Sequence, residues 1–232
     1  SDNIQNIGID GDGNAYMAGY FRSFPAQANN TSLNVSGDDY RFLSIFDIEG
    51  NRKWVHLFEN EDNTRDPNAI VNDCAFLNWD EKLILFMNIL TQTKFNGQIV
   101  NEDNKDHIVT AEIKPDGSLS DRQKYYIDDI SEAKSAISAE GEIFVLGNVN
   151  YNFKIGDKLY ELGSDQQLVF TILKDGEILF DTVYNFGGEI EYVSSMVLDN
   201  EKNSYLSFEF EENITINGTE LISGDEAKSL II

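Results

Sequence analysis

The sequence predicts an all-β fold built from four copies of one antiparallel unit, the last of them incomplete. Three observations carry this. Leu33-Asn34-Val35-Ser36-Gly37-Asp38-Asp39-Tyr40-Arg41-Phe42 returns as Glu220-Leu221-Ile222-Ser223-Gly224-Asp225-Glu226-Ala227-Lys228-Ser229, with Gly37 and Gly224 lying 187 residues apart. That is three periods of about 62, within the range of repeat architectures. Short apolar runs are joined by Asp-Gly and Gly-Asn turns, a hairpin signal because primed turns need positive φ. No segment sustains helical periodicity.

In the first unit, Gln5 to Asp10 and Asn14 to Phe21 read as strands around the turn Gly11-Asp12-Gly13. A loop through residues 22–32 leads to a small hairpin near Gly37; Phe42 to Asp47 is the third strand, and Lys53 to Phe58 the fourth, after a turn at Gly50. The second unit repeats the order. Ile70 to Asn78, Lys82 to Leu90, a hairpin at Asn96-Gly97, His107 to Ile113, the turn Pro115-Asp116-Gly117 and a fourth strand near Gln123 to Ile127 follow one another. The third runs Ala133 to Ser138, Ile143 to Val149, a hairpin at Gly156, Leu168 to Leu173 and Ile178 to Tyr184. The fourth runs Val193 to Leu198, Ser204 to Phe210, a hairpin at Asn217-Gly218 and Ser229 to Ile232, one strand short.

Four antiparallel strands repeated side by side describe blades of a β-propeller, with units over residues 4–67, 68–130, 131–189 and 190–232 of one domain, 1–232. The competing architecture is an open β-solenoid, whose repeats are usually shorter. Apolar second strands such as Leu83-Ile84-Leu85-Phe86-Met87 are expected near the axis, buried on both faces. The missing last strand would leave an unpaired edge. The expectation is therefore a partial propeller, continued by further blades or completed by another chain.

With 41% hydrophobic residues, Phe 15 and Tyr 10, the chain can bury a sizeable core. Its three prolines leave Gly, Asn and Asp to make the turns. A net charge of −24, from 41 acidic against 17 basic residues, repels nucleic-acid phosphates and anionic lipid. No apolar run is long enough to span a membrane as a helix. No leader precedes Ser1, so a signal, if the protein is exported, would already have been removed. Cys74, the sole cysteine, permits no internal disulfide and reads as a buried strand thiol.

Ile9-Asp10-Gly11-Asp12-Gly13-Asn14-Ala15-Tyr16-Met17-Ala18-Gly19-Tyr20-Phe21 and Phe46-Asp47-Ile48-Glu49-Gly50-Asn51-Arg52-Lys53-Trp54 resemble the β-propeller repeat family of bacterial secreted and cell-surface proteins. The resemblance covers nearly the whole chain and is sharpest in the first unit. It departs in the second, where Asp80-Glu81-Lys82 replaces Asp-Gly-Asn and Asn88 stands where Gly19 and Gly147 do; in the fourth, Ser207 stands there. It implies export, a scaffold or binding role, more blades than are present here, and no catalytic residues.

Asp10, Asp12 and Asn14 look like the start of a calcium loop, but Ala15 and Phe21 occupy the sixth and twelfth positions, where an EF-hand needs Gly and Glu. Turn chemistry is the simpler reading, and no other cofactor is indicated. His56, sharing a strand face with Trp54 and Phe58, is expected to be packed; His107 is expected to be exposed. No nucleophile motif or histidine cluster occurs. The acidic pairs Asp38-Asp39, Glu189/Glu191 and Glu209/Glu211 could serve glycoside hydrolysis; with so many acids, solvated charge is the simpler reading. The Asn-x-Ser/Thr sites at Asn29, Asn30, Asn34, Asn213 and Asn217 read as products of Asn-rich turns.

Rings that stack on sugars must be exposed near loops. Phe21, Phe24 and Tyr40 in the first unit, and Tyr151, Phe153 and Tyr160 in the third, are the candidates, with core packing as the alternative. The leading expectation is a non-catalytic exported or cell-surface module that binds glycan or protein, adheres or scaffolds. The alternatives are a polysaccharide hydrolase or lyase with a carboxylate pair at the propeller mouth, and a purely structural spacer.

Overall fold

The structure is a computed structural model that describes residues 3–21, 26–28, 31–33, 40–59, 71–128, 130–149, 152–161, 167–187, 190–210, 213–216, 218–222 and 228–231. Among these, every regular element is a β-strand and every strand pairing is antiparallel. The chain divides into two compact units, Ser1–Gln123 and Lys124–Ile232.

Unit 1 holds two repeats. The first comprises β1 (Asn3–Ile9), β2 (Ala15–Phe21), a short hairpin of β3 (Ala26–Ala28) and β4 (Thr31–Leu33), then β5 (Tyr40–Phe46) and β6 (Arg52–Glu59). The second comprises β7 (Val71–Trp79), β8 (Lys82–Ile89), a hairpin of β9 (Thr93–Phe95) and β10 (Gln98–Asn101), then β11 (His107–Ile113) and β12 (Leu119–Tyr126), which crosses the unit boundary. Each repeat is a four-stranded meander, β1-β2-β5-β6 and β7-β8-β11-β12; β9 and β10 extend the first sheet beyond β6.

Unit 2 repeats the plan. β13 (Ser131–Ile137), β14 (Ile143–Val149), the hairpin β15 (Phe153–Ile155) and β16 (Lys158–Tyr160), β17 (Gln167–Lys174) and β18 (Glu177–Tyr184) form the third repeat. β19 (Ile190–Leu198), β20 (Ser204–Phe210), the hairpin β21 (Asn213–Ile216) and β22 (Thr219–Ile222), and β23 (Lys228–Ile231) form the fourth, whose sheet has three strands among the described residues.

Five turns share one geometry that the sequence encodes locally. In Asp10–Asn14, Asp47–Asn51, Lys114–Ser118, Ser138–Glu142 and Asp199–Asn203, the first N–H donates to the fifth carbonyl and the fourth N–H to the first carbonyl. The fourth residue is left-handed: glycine at 13, 50, 117 and 141, but Lys202 at φ 65° in the last. This is a type I turn closed by a bulge residue in the left-handed region, which favours glycine. The turn after β7 differs. Asp80 and Glu81 both have positive φ (48° and 62°), as a two-residue type I′ turn requires, which accounts for the loss of the Asp-Gly-Asn pattern there.

Apolar strand centres build the cores. In unit 1, Leu83, Leu85, Met87 and Ile89 of β8 pack with Tyr16, Leu43, Ile45, Phe95 and Val109. In unit 2, Phe144, Leu146, Ile190, Val193 and Phe208 form the corresponding cluster. Each such burial stabilises by about 1.5–3 kcal/mol relative to exposure. The first strands run alongside one another, β1 by β7 and β13 by β19. The approach is close: a Cβ on Gly8 would lie 2.4 Å from the Phe76 Cβ. A bulge near the start of β1 and another near the start of β13 each aim a side chain at the neighbouring sheet. The Asn6 Oδ1 accepts from the Phe76 N–H at 3.2 Å, and the Glu132 Oε2 from the Val193 N–H at 3.3 Å.

Three expectations need correction. The first inserted hairpin, β3–β4, lies inside the span read as a loop; Gly37, where the hairpin was expected, lies outside the described residues. The fourth strand of the second repeat begins at Leu119, earlier than read. His107 is buried, not exposed, its Nε2 lying 2.9 Å from the Asp103 Oδ1.

Candidate functional site

The turn opening the first repeat borders a cleft in unit 1. Asp10 organises it. Its Oδ1 accepts from the backbone N–H groups of Asp12 (3.0 Å) and Asn14 (2.8 Å), and its Oδ2 accepts from the Asn14 Nδ2 (2.8 Å) and the Tyr16 hydroxyl (3.1 Å). Burial alone would raise the Asp10 pKa; the bonds from Asn14, Tyr16 and Asp12 outweigh it and hold the carboxylate below its usual range. Burial, with the Asp10 charge beside it, pushes the Tyr16 hydroxyl well above the ordinary tyrosine value. The Asn14 Oδ1 in turn accepts from the Lys53 Nζ at 2.9 Å.

Of the three residues read as a calcium-loop start, Asp10 and Asn14 therefore have their side-chain oxygens engaged by turn donors and an ammonium. A cation at Asp10 would have to displace four hydrogen bonds. The same network recurs at Asp47, with Glu49 and Asn51, and at Asp199, with Glu201, Asn203 and the Tyr205 hydroxyl. Its recurrence at equivalent turns marks it as fold chemistry. Among the described residues no group of three or more His, Cys, Asp or Glu is arranged to hold a metal ion.

The cleft has a volume of about 430 Å³. Asp10, Asp12, Glu81, Lys82, Glu112 and Lys114 supply its charges, and Tyr16, Leu83 and Ile113 its apolar wall. Glu112 sits deepest, its side chain 10% exposed, bonded to the Lys114 ammonium and 3.7 Å from the Lys82 Nζ. The Lys114 hydrogen bond lowers its pKa most, burial opposes, and the two lysine charges add to the lowering. Asp12 and Asp10 were legible in the sequence as site residues; Glu81, Lys82, Glu112 and Lys114 were not. The signal for Glu112 was a single acid inside the otherwise apolar and polar-neutral run Ile108-Val109-Thr110-Ala111-Glu112-Ile113.

The aromatic candidates do not come together as one surface. Phe153 is fully buried and stacks on Tyr160 at 5.0 Å and 9°, so it belongs to the β15–β16 hairpin core and not to an exposed platform. Tyr160 is half-buried beneath the Lys158 ammonium, 4.3 Å from its ring centroid. Phe21 and Tyr40 face one another in the β2–β5 register; their side chains, and the whole of Phe24 and Tyr151, lie outside the described residues. So do Asp38, Asp39, Glu189 and Glu211 of the acidic pairs.

His56 is packed as expected. It stacks on Trp54 at 4.7 Å, meets Phe95 edge-on at 5.8 Å, and burial lowers its pKa. The Trp54 Nε1 donates to the Pro115 carbonyl at 2.8 Å, tying the first repeat to the second. Cys74 is buried, which pushes its thiol pKa far up and leaves it inert. Among the described residues no helix is long and apolar enough to cross a membrane.

No protein-family model matches the chain, and no curated protein matches its sequence.

Proposed function

We propose that the chain forms consecutive blades of a β-propeller-type module, exported or displayed at a cell surface, that binds a glycan or protein ligand without catalysis. Repeated four-stranded meanders with neighbouring first strands side by side support the blade reading. The resemblance of the first repeat to bacterial surface propellers supports the setting.

One observation carries the non-catalytic reading. The most buried carboxylate of the cleft, Glu112, is neutralised by two lysines and held ionised. A glycosidase acid needs the opposite, a carboxyl whose pKa is raised so that it can donate a proton. Asp10, Asp47, Asp116, Glu140, Glu142 and Asp199 are shifted the same way, downward. Fixed ion pairs lining a cleft suit recognition of polar groups.

A glycan array followed by calorimetric titration of the hits tests this. Asp12→Asn combined with Lys82→Gln should weaken the best ligand at least tenfold while the thermal melt stays unchanged. Release of shortened or unsaturated sugar from a bound polysaccharide would instead favour a hydrolase or lyase. Unaltered affinity in the double variant would remove the ligand from this cleft.

A further inference from the structure

Three of the four inserted hairpins do one thing: each adds its first strand, edge to edge, to the end of the outer strand of the repeat before it. β9 pairs with β6 through Phe58↔Phe95 and Glu59↔Lys94. β15 takes residues 126–128: Ile127 bridges Ile155, the Asp128 N–H donates to the Lys154 carbonyl at 2.8 Å, and the Gly156 N–H to the Tyr126 carbonyl at 2.8 Å. From β21, the Thr215 N–H donates to the carbonyl of Phe186, just beyond β18, at 2.7 Å.

The same backbone position acts each time. Lys94, Lys154 and Thr215 each stand one residue outside the pair that flanks a two-residue turn, opposite Ile99, Leu159 and Glu220 in their own hairpins. In such a hairpin the flanking pair exchanges its hydrogen bonds inward, and the next pair turns its N–H and C=O outward. Those outward groups receive the incoming strand.

Gln27 holds this position in the first hairpin. Ala28↔Thr31 is its innermost pair, separated by two residues in the chain, and Gln27 lies opposite Ser32 in the next. Among the described residues β3 and β4 pair with each other alone. We propose that the outer edge of β3, centred on Gln27, is a β-augmentation site for the outer-strand end of a further repeat of this type. The occupant has the chemistry that the other hairpins hold: an extended segment whose apolar or aromatic residue stands beside an acid or amide, as in Phe58-Glu59, Ile127-Asp128 and Asn185-Phe186. The outer-strand ends described in this chain already carry their own hairpins, so a second copy has none of these to offer. Main-chain hydrogen bonds supply the affinity in such pairing and the side chains its selectivity. The site is separate from the cleft and does not depend on its ligand.

The probe is a fluorescent peptide with the sequence of residues 119–128, titrated with the full chain and read by anisotropy. Saturable binding is expected. Gln27→Pro, which deletes an outward N–H and is tolerated on a strand edge, should weaken it at least tenfold. Ser32→Pro, the same change on the opposite edge, should leave it unchanged; circular dichroism melts of both variants check that the sheets remain folded. Absence of saturable binding to the unaltered protein, or equal loss in the two variants, overturns the proposal.

Discussion

In unit 1 a neutral amide, Asn6, holds the neighbouring sheet through the Phe76 N–H, whereas in unit 2 a carboxylate, Glu132, holds it through the Val193 N–H and also accepts from the Asn148 Nδ2 at 3.1 Å. The opening turns differ in the same sense. In unit 2 the Lys202 ammonium reaches from one turn to the other, 2.6 Å from the Glu142 Oε2 and 3.1 Å from the Glu140 Oε2. In unit 1 the lysines turn elsewhere: Lys53 to Asn14, and Lys82 and Lys114 to Glu112. The unit 1 cleft stays open as a result. A ring chain of Tyr16, Trp54, His56, Phe95 and Phe58 does the fastening instead. One backbone plan thus serves two purposes, and side-chain charge decides whether the mouth between two sheets is clamped or available.

Lys202 shows what the clamp requires. It occupies the left-handed position that glycine takes in the four sister turns, at a backbone cost of about 1–2 kcal/mol. Glycine at that position would leave Glu140 and Glu142 without this cation.

The comparison breaks most visibly at the aromatic chain. Phe95→Ala should cost about 3–5 kcal/mol, because it removes a fully buried ring that touches Trp54, His56 and Phe58. Both tryptophans, Trp54 and Trp79, lie in unit 1, so denaturant titration followed by tryptophan fluorescence reports on that unit directly. An unchanged midpoint would show that the rings are not its fastening.

A smaller effect separates the two inter-sheet hydrogen bonds. Glu132→Ala and Asn6→Ala each leave a backbone donor without its side-chain acceptor, at about 1–3 kcal/mol. Glu132→Gln should restore most of the loss, since an amide oxygen suffices in unit 1. If Gln behaves like Ala in urea titrations, the charge of Glu132 matters and the two units are not equivalent.

The smallest effect is one of pH. Burial lowers the His56 pKa below its ordinary 6.5, so the unfolded chain binds the proton more tightly. Its contribution to stability is complete above about pH 6.5 and is lost as pH falls through the folded-state value. The fluorescence-detected urea midpoint should therefore drop between about pH 7 and pH 5, and His56→Phe should flatten that drop. The lowered carboxylates Asp10 and Asp199 act further down, losing their contribution as pH falls below the ordinary aspartate value of 3.8. A midpoint equally pH-sensitive in His56→Phe would place the titrating group elsewhere.

Much of the strand order was legible because hairpins are local. Asp10-Gly11-Asp12-Gly13-Asn14 carries its own capping carboxylate, its left-handed glycine and its apolar flanks within a few residues, and the structure closes it as those residues dictate. The strands β3 and β4 were missed for a local reason as well: three residues each are too short to show a period. His107 and Phe153 were misjudged for another: a polar neighbour or a loop position says nothing about what folds over a side chain from a distant strand.

The sequence by itself determined the all-β class and turns such as Asp10–Asn14, since both depend on residues near one another in the chain. Tertiary structure alone decided which charges meet. Glu112 finds Lys82, Asn6 finds Phe76, and Lys202 spans to Glu142 only when separate strands are brought alongside. Such pairings turn on ångström-scale distances between chain segments tens of residues apart, and no local pattern encodes them.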